Sequence, residues 1–389
     1  MNIPKLRFKE FTDEWKQTPL KNIIYSNIIE APKPTTDYIR LGIRSHCKGT
    51  FHELVKIENI LSADKMYIVP KNNLILNITF AWEQAIAITD DNDEGKYISN
   101  RFPTFAFKDN QLPTFYKYII PQKRLKYDLN VASPGGAGRN RVLNKKLFLS
   151  IPVNIPLLKE QEKISKFLTT VDKKITNLKN TITSLENQKK GLLQQIFSQK
   201  LRFKDENGNN YPNWEKKKLE DISNITMGQS PDSDFVNTEK IGTPFLQGNA
   251  EFTNKYPIEK YWCTKPQKIA NPTDILLSVR APVGAINIAN KKFCIGRGLS
   301  AISFNCNKLF GKYNLEFNLF QLIKKSQGST FSSINKKDIS EVILFIPCLE
   351  EQTKIADFLS AFDRKLENQK AQLEHWKQIK KGLLQQMFV

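Results

Sequence analysis

One stretch of this chain occurs twice, and any fold must accommodate both copies. Residues 155–197 read IPLLKEQEKISKFLTTVDKKITNLKNTITSLENQKKGLLQQIF, and residues 346–388 read IPCLEEQTKIADFLSAFDRKLENQKAQLEHWKQIKKGLLQQMF. Gln161 to Gln352 and Gly191 to Gly382 are both 191 residues apart, so the copies align without a gap. From Pro156 to Phe197, 20 of 42 positions are identical. Repetition on this scale marks a duplicated architecture and precedes any local motif.

Each copy carries a heptad seam. Ile164, Leu168, Val171, Ile175, Leu178, Ile182, Leu185, Leu192 and Ile196 follow the alternating 4-3 spacing, broken at Lys189. The second copy places Ile355, Leu359, Phe362, Leu366, Leu373, Trp376, Leu383 and Met387 in the same register, broken at Gln369 and Lys380. This spacing predicts helices that pack on one another in coiled-coil fashion. About 38 residues at 1.5 Å rise give rods roughly 57 Å long.

The repeat unit is larger than the helix. Lys5-Leu6-Arg7-Phe8-Lys9 recurs as Lys200-Leu201-Arg202-Phe203-Lys204, and Trp15, Leu20 and Ile23 recur as Trp214, Leu219 and Ile222. The unit therefore runs from an LRF segment through a variable region to a long helix. After the second helix another LRF segment is expected, and the N-terminal one is expected to fill that place in space. The plan is thus cyclic and pseudo-twofold.

The two variable regions predict mixed α/β domains. In the first, Tyr38–Leu41, Leu74–Ile78, Ala85–Ile88 and Phe102–Phe107 have strand-like composition between Gly, Pro, Asn and Asp clusters. In the second, Asp274–Val279 occupies the place of Asn73–Ile78, and Asn335-Lys336-Lys337 that of Asn144-Lys145-Lys146. Otherwise the regions diverge, which suits two related tasks on two different targets. The expected boundaries are a first domain over 1–155, a helix over 156–199, a second domain over 200–346 and a helix over 347–389.

With 59 Lys plus Arg against 39 Asp plus Glu, the formal charge is +20, which favours polyanionic partners. No apolar run reaches the length of a membrane span, and MNIPKLRFKEF lacks the apolar core of a secretory signal. A cytoplasmic chain that binds nucleic acid is the expectation. Cys47, Cys263, Cys294, Cys306 and Cys348 contain no CxxC pair, and His46, His52 and His375 are scattered, so no disulfide framework or metal site is expected.

The motifs of covalent chemistry are fragmentary. Asn271-Pro272-Thr273-Asp274 lacks the second proline and the aromatic residue of an amino-methyltransferase loop and reads as a turn. Glu215-Lys216-Lys217 is a fragment of a nuclease pattern without an acidic partner, and no serine has a nucleophile-elbow context. No catalytic residue is assigned. Binding remains, through phosphate contacts for affinity and base-edge contacts for specificity. By composition and loop position the DNA-binding candidates are Arg40, Arg44, Lys48, Arg139, Asn140 and Arg141 in the first region. In the second they are Gln247, Asn249, Lys255, Arg280, Arg297 and Ser329. The basic glycine-rich loop SPGGAGRNR and the loop SQGST are the strongest groups. The polar seam breaks and helical glycines predict junctions or partner contacts at Lys190, Gly191, Gln194, Lys381, Gly382 and Gln385.

The IPLLKEQEKI and IPCLEEQTKI segments, the two KKGLLQQ ends and the LRF-to-Trp segments together resemble the specificity subunit of type I restriction-modification systems. The likeness covers essentially the whole chain. It implies an α+β protein with two target-recognition domains separated by two long helices in an antiparallel coiled coil. Each domain would read one half of a split double-stranded DNA site. It further implies two modification subunits that use S-adenosylmethionine and two restriction subunits that use ATP and magnesium, with no cofactor on this chain. A stand-alone nuclease and a coiled-coil scaffold that binds DNA non-specifically are the competing readings.

Overall fold

The computed structural model describes residues 3–59, 65–136, 141–253, 255–327 and 333–389. The two heptad seams form helices Leu158–Phe197 and Leu349–Gln386, of 40 and 38 residues. The chain divides into two compact units, Met1–Leu178 with Gln372–Val389, and Lys179–Ala371. Each long helix therefore contributes one part to each unit.

The units share one strand plan. In unit 1, Lys16–Pro19 pairs antiparallel with Pro152–Ile155; in unit 2, Glu215–Lys218 pairs with Ile343–Ile346 in the same way. A four-stranded sheet orders Ile24–Ser26, Thr104–Phe107, Leu74–Leu76 and Ile86–Ile88 in unit 1. Its counterpart in unit 2 orders Ser223–Met227, Leu299–Phe304, Ile275–Ser278 and Ile286–Ile288. A second sheet has a common four-stranded part: Met66–Ile68, Tyr97–Ile98, Tyr38–Ile43 and Thr50–Val55, matched by Ile269–Ala270, Phe293–Ile295, Thr243–Leu246 and Tyr261–Cys263. In both, the central pair is parallel and its neighbours antiparallel.

Two differences between the units are the largest among the described elements. The fifth strand of the second sheet joins opposite edges: Ile29–Ala31 lies beside Met66–Ile68, whereas Val236–Asn237 lies beside Tyr261–Cys263. In addition, unit 2 has one helix at Lys308–Gln327 where unit 1 has two, Pro113–Ile119 and Lys123–Val131. Pro121 stands between them and, lacking an N–H, ends the first.

Inside each unit the long helices run antiparallel. In unit 2, Ile196 and Phe197 share a core with Ile355, Ala356 and Leu359, and Lys189 and Glu186 pair with Asp363 and Lys370 at 2.6 and 2.7 Å. In unit 1, Ile164 and Leu168 share a core with Met387 and Phe388, and Asp172 pairs with Lys380 at 2.5 Å.

The LRF segments are held by the same buried carboxylate in both units. Glu160 accepts from Arg7 Nε at 2.8 Å, Arg7 Nη2 at 2.7 Å and Trp15 Nε1 at 3.2 Å. Glu351 accepts from Arg202 Nε at 3.0 Å, Arg202 Nη2 at 2.6 Å and Trp214 Nε1 at 3.0 Å. The carboxylates lie in the first turn of their helices, where the helix dipole favours negative charge, and each raises its arginine's pKa through the hydrogen bond. The adjacent glutamines are as regular. Gln161 and Gln352 donate to the carbonyls of Pro156 and Pro347 at 3.0 and 2.8 Å and accept from the N–H groups of Leu112 and Asn307 at 3.0 and 3.1 Å.

The N-terminal segment takes the place expected of it. Leu6 N–H donates to the Gln386 carbonyl at 2.9 Å, as Leu201 N–H donates to the Gln195 carbonyl at 3.0 Å. The two lysine breaks in the seams are explained too. Lys189 and Tyr313 both reach Asp363, at 2.6 Å each, and Lys380 and Tyr118 reach Asp172 at 2.5 and 3.1 Å. Burial pushes both phenols up, so they remain donors to those carboxylates.

Removing one member of a buried, hydrogen-bonded ion pair costs about 3 kcal/mol or more. Glu351 is 0% and Glu160 2% exposed. Glu351→Ala and Glu160→Ala should each lower the unfolding free energy by about that much, read by denaturant melts. Losses below about 1 kcal/mol would show that the clamp is dispensable.

Candidate nucleic-acid interface

At one end of each unit, three chain segments meet through equivalent backbone bonds. In unit 1, Ile78 N–H donates to the Arg101 carbonyl at 3.0 Å, and Leu143 N–H to the Ile78 carbonyl at 2.9 Å. In unit 2, Val279 N–H donates to the Gly298 carbonyl and Ile334 N–H to the Val279 carbonyl, both at 3.0 Å. What the frame holds constant in backbone, the side chains fill differently.

The unit 1 end is aromatic and basic. Residues 44–49 turn with positive φ at His46, Cys47 and Gly49. They lean on the neighbouring loop through His46 N–H to the Glu83 carbonyl and Cys47 N–H to the Gln84 carbonyl. Arg44 lies over Phe51 at 4.9 Å and Arg141 over Trp82 at 5.0 Å, while Lys48 and Arg101 are exposed. Arg141 also donates to the carbonyls of Ser133 and Asn130 at 3.0 and 2.8 Å, tying down the end of helix Lys123–Val131. Arg40 stands apart, paired with Glu53 across its hairpin at 2.7 Å.

The unit 2 end is glycine-framed. Gly228, Gly296 and Gly298 allow backbones to approach more closely than any Cβ would. A Cβ on Gly228 would lie 2.2 Å from the Gly296 oxygen, and one on Gly298 2.7 Å from the Gln247 oxygen. Gln247 and Arg297 are exposed there, and Arg280 follows on the adjoining segment, bridged to Ser333. Asn249 opens a short 3-10 turn just beyond Gln247. Lys255 points elsewhere, toward the second long helix, where it pairs with Glu367 at 3.5 Å. Arg139, Asn140 and Ser329 lie outside the described residues.

Lys190, Gln194, Lys381 and Gln385 are exposed on the long helices. A Cβ on Gly191 would meet nothing within 4 Å, and one on Gly382 only the tip of Gln386 at 3.9 Å. Among the described residues both glycines thus lack a packing reason. Glu215 and Lys217 pair with each other at 2.9 Å on the short strand Glu215–Lys218. Among the described residues no group of three His, Cys, Asp or Glu is placed to hold a metal, and no helix is long and apolar enough to cross a membrane. Sequence reasoning missed Trp82, Arg101 and Ser230, and also Glu160 and Glu351, which hold the frame. The Trp82–Arg141 stack could not be found from spacing, because 59 residues separate the partners.

A basic chain with one frame used twice, and with different exposed side chains at the same end of each copy, defines a duplicated reader of nucleic-acid sequence. The comparisons name the family. Residues 17–187 and 211–375 both match the type I restriction modification DNA specificity domain. The chain is 37% identical to the candidate type I restriction enzyme MjaX specificity subunit of Methanocaldococcus jannaschii, over 98% of this chain and 95% of that one. It is 24% identical to the MjaVIII specificity subunit of the same organism, over 91% and 84%. The fold resembles the S subunit of a type I restriction-modification system from M. genitalium, with a TM-score of 0.63 at 14% identity and 100% and 99% coverage. It also resembles a chain solved in work on complex assembly and conformational transition of the type I R-M system, with a TM-score of 0.59 at 24% identity and 95% and 96% coverage. The chain belongs to the type I restriction-modification DNA specificity family, whose members are sequence-reading subunits rather than catalysts.

Arg141 and Arg280 separate support from contact. Arg141→Ala should lower the melting temperature, because two carbonyls lose their donor. Arg280→Ala should leave melting unchanged but weaken duplex DNA binding and reduce the slope of log affinity against log salt by about 1. An unchanged salt slope in Arg280→Ala would remove that residue from the interface.

Proposed function

We propose that each unit reads one half of a bipartite duplex DNA site, with an unread spacer between the halves. The observation that carries this is the duplicated frame with unlike ends. Equivalent backbone bonds at Ile78 and Val279 support an aromatic, basic set in one unit and a glycine-framed polar set in the other. Arg44, Lys48, Arg139, Asn140, Arg141, Gln247, Asn249, Arg280, Arg297 and Ser329 remain the candidate contacts, with Arg141 also supporting its loop, whereas Arg40 and Lys255 are engaged in ion pairs away from these ends. Two different half-sites follow from two different side-chain sets on one scaffold.

In this reading the long helices fix the separation of the half-sites, so spacer length is a geometric quantity. They also dock two modification subunits at Lys190, Gly191 and Gln194 and at Lys381, Gly382 and Gln385. S-adenosylmethionine belongs to those subunits, and ATP and magnesium to two restriction subunits, in a cytoplasmic assembly. The open space over both glycines supports the docking assignment. A helical Gly costs roughly 1 kcal/mol relative to Ala, and its presence at the same place in both helices fits close approach by another backbone.

Co-expression with the cognate modification subunit and mapping of methylated adenines tests the reading, and a bipartite motif is the expected result. Inserting a few residues in one long helix should change the spacer and leave both half-sites intact; an active variant with the original spacing would refute the ruler. Gly191→Ala with Gly382→Ala should stabilise the isolated chain yet impair co-purification with the modification subunit and methylation. Normal assembly in that double variant would move the docking site elsewhere.

A further inference from the structure

We infer that Gln247 and Arg297 form a base-reading pair in unit 2, taking the major-groove edges of purines, and that Ser230 positions Gln247 for that contact. The inference rests on the half-site reading above and adds the chemistry of its second half. Gln247 and Arg297 lie 50 residues apart in sequence, yet both line one open concavity with Ser230, Asn237, Glu239 and Tyr261.

The backbone around the pair is rigidly placed. Gly296 N–H donates to the Leu246 carbonyl at 2.8 Å and Gln229 N–H to the Ile295 carbonyl at 2.9 Å. A Cβ on Gly296 would meet Gln247 at 3.0 Å and one on Gly298 would meet it at 2.7 Å. Three segments are therefore packed backbone on backbone, with Leu246 and Ile295 buried beneath and Gln247 and Arg297 exposed. Ser230 Oγ accepts from Arg297 N–H at 3.2 Å and lies 3.4 Å from Gln247 Oε1 and 3.2 Å from its Nε2. One hydroxyl thus ties the Gln247 carboxamide to the loop that carries Arg297, while the Arg297 guanidinium is exposed.

The chemistry of the concavity favours a base edge over a phosphate. The guanidinium, the carboxamide and the hydroxyl could each donate to a phosphate, but the Glu239 carboxylate stands with them and disfavours an anion. Glu239 accepts from its own backbone N–H and from Thr238 Oγ1 and N–H, the last two at 3.1 and 3.0 Å, and these bonds lower its pKa. It is thus anionic at neutral pH and repels phosphate. A glutamine amide matches adenine N6 and N7, and an arginine matches guanine O6 and N7.

The test uses the full chain co-purified with its modification subunit, a duplex pool randomised across both half-sites, and methylation mapping of the same variants. Arg297→Lys and Gln247→Ala should each relax one purine position of one half-site, with affinity for the wild-type site down about tenfold or more, and leave the other half-site unchanged. Ser230→Ala should relax the Gln247 position alone. Gln247→Glu, nearly isosteric and so insulated from folding defects, should turn that position from adenine toward cytosine, whose amino group a carboxylate accepts. A wild-type motif retained in full by Arg297→Lys and Gln247→Glu overturns the inference. Failure of the wild-type complex to select any bipartite motif would instead overturn the reading on which it rests.

Discussion

The frame depends on a carboxylate that is buried twice. Glu160 and Glu351 have no access to water worth the name, and an unpaired carboxylate there would be prohibitively costly. Each is compensated by a bidentate arginine and an indole N–H drawn from far away in sequence, 153 and 145 residues in one unit and 149 and 137 in the other. The cost of leaving the charge unpaired specifies where the LRF segment must lie. That placement sets the two-stranded sheet that follows it and, through Gln161 and Gln352, the helix entry of each head.

The polar breaks in the heptad seam follow the same logic. A lysine at a core position looks like a flaw when only apolar residues are counted. In place, Lys189 and Lys380 each meet an aspartate on the facing helix and lie over the tyrosine that shares it, at 5.1 and 5.8 Å. Apolar side chains slide past one another at modest cost, whereas a matched Lys–Asp–Tyr set is satisfied in one register only.

The repeat made much of this architecture legible. A gapless 191-residue offset predicted two matching helices, the LRF and Trp echoes placed the N-terminal segment, and short apolar runs between turn clusters located Leu74–Leu76 and Ile275–Ser278. The candidate interface was legible only in part. Arg44 in unit 1, and Gln247, Arg280 and Arg297 in unit 2, lie exposed at the corresponding end of each unit, because loops between paired strands carry exposed polar residues. Lys255 and Arg40 have the same composition but ion-paired surroundings, which composition cannot distinguish. The clamps and the Trp82–Arg141 stack depend on contacts across many tens of residues, and no local period encodes them.

The fifth strand of the second sheet joins opposite edges in the two units, and this bears on how such heads can diverge at all. Moving the strand uncovers an edge that was paired before. In unit 1 that edge is Thr50–Val55, with Phe51 36% and Leu54 62% exposed, a template for unwanted pairing with another chain. It is interrupted by His52 and Glu53 and followed by Lys56, and its start is tied inward by Thr50 Oγ1 to Asp93 at 2.9 Å. A new specificity built on this frame must therefore supply guards for whatever edge it exposes, so selection against aggregation shapes residues that never touch the target.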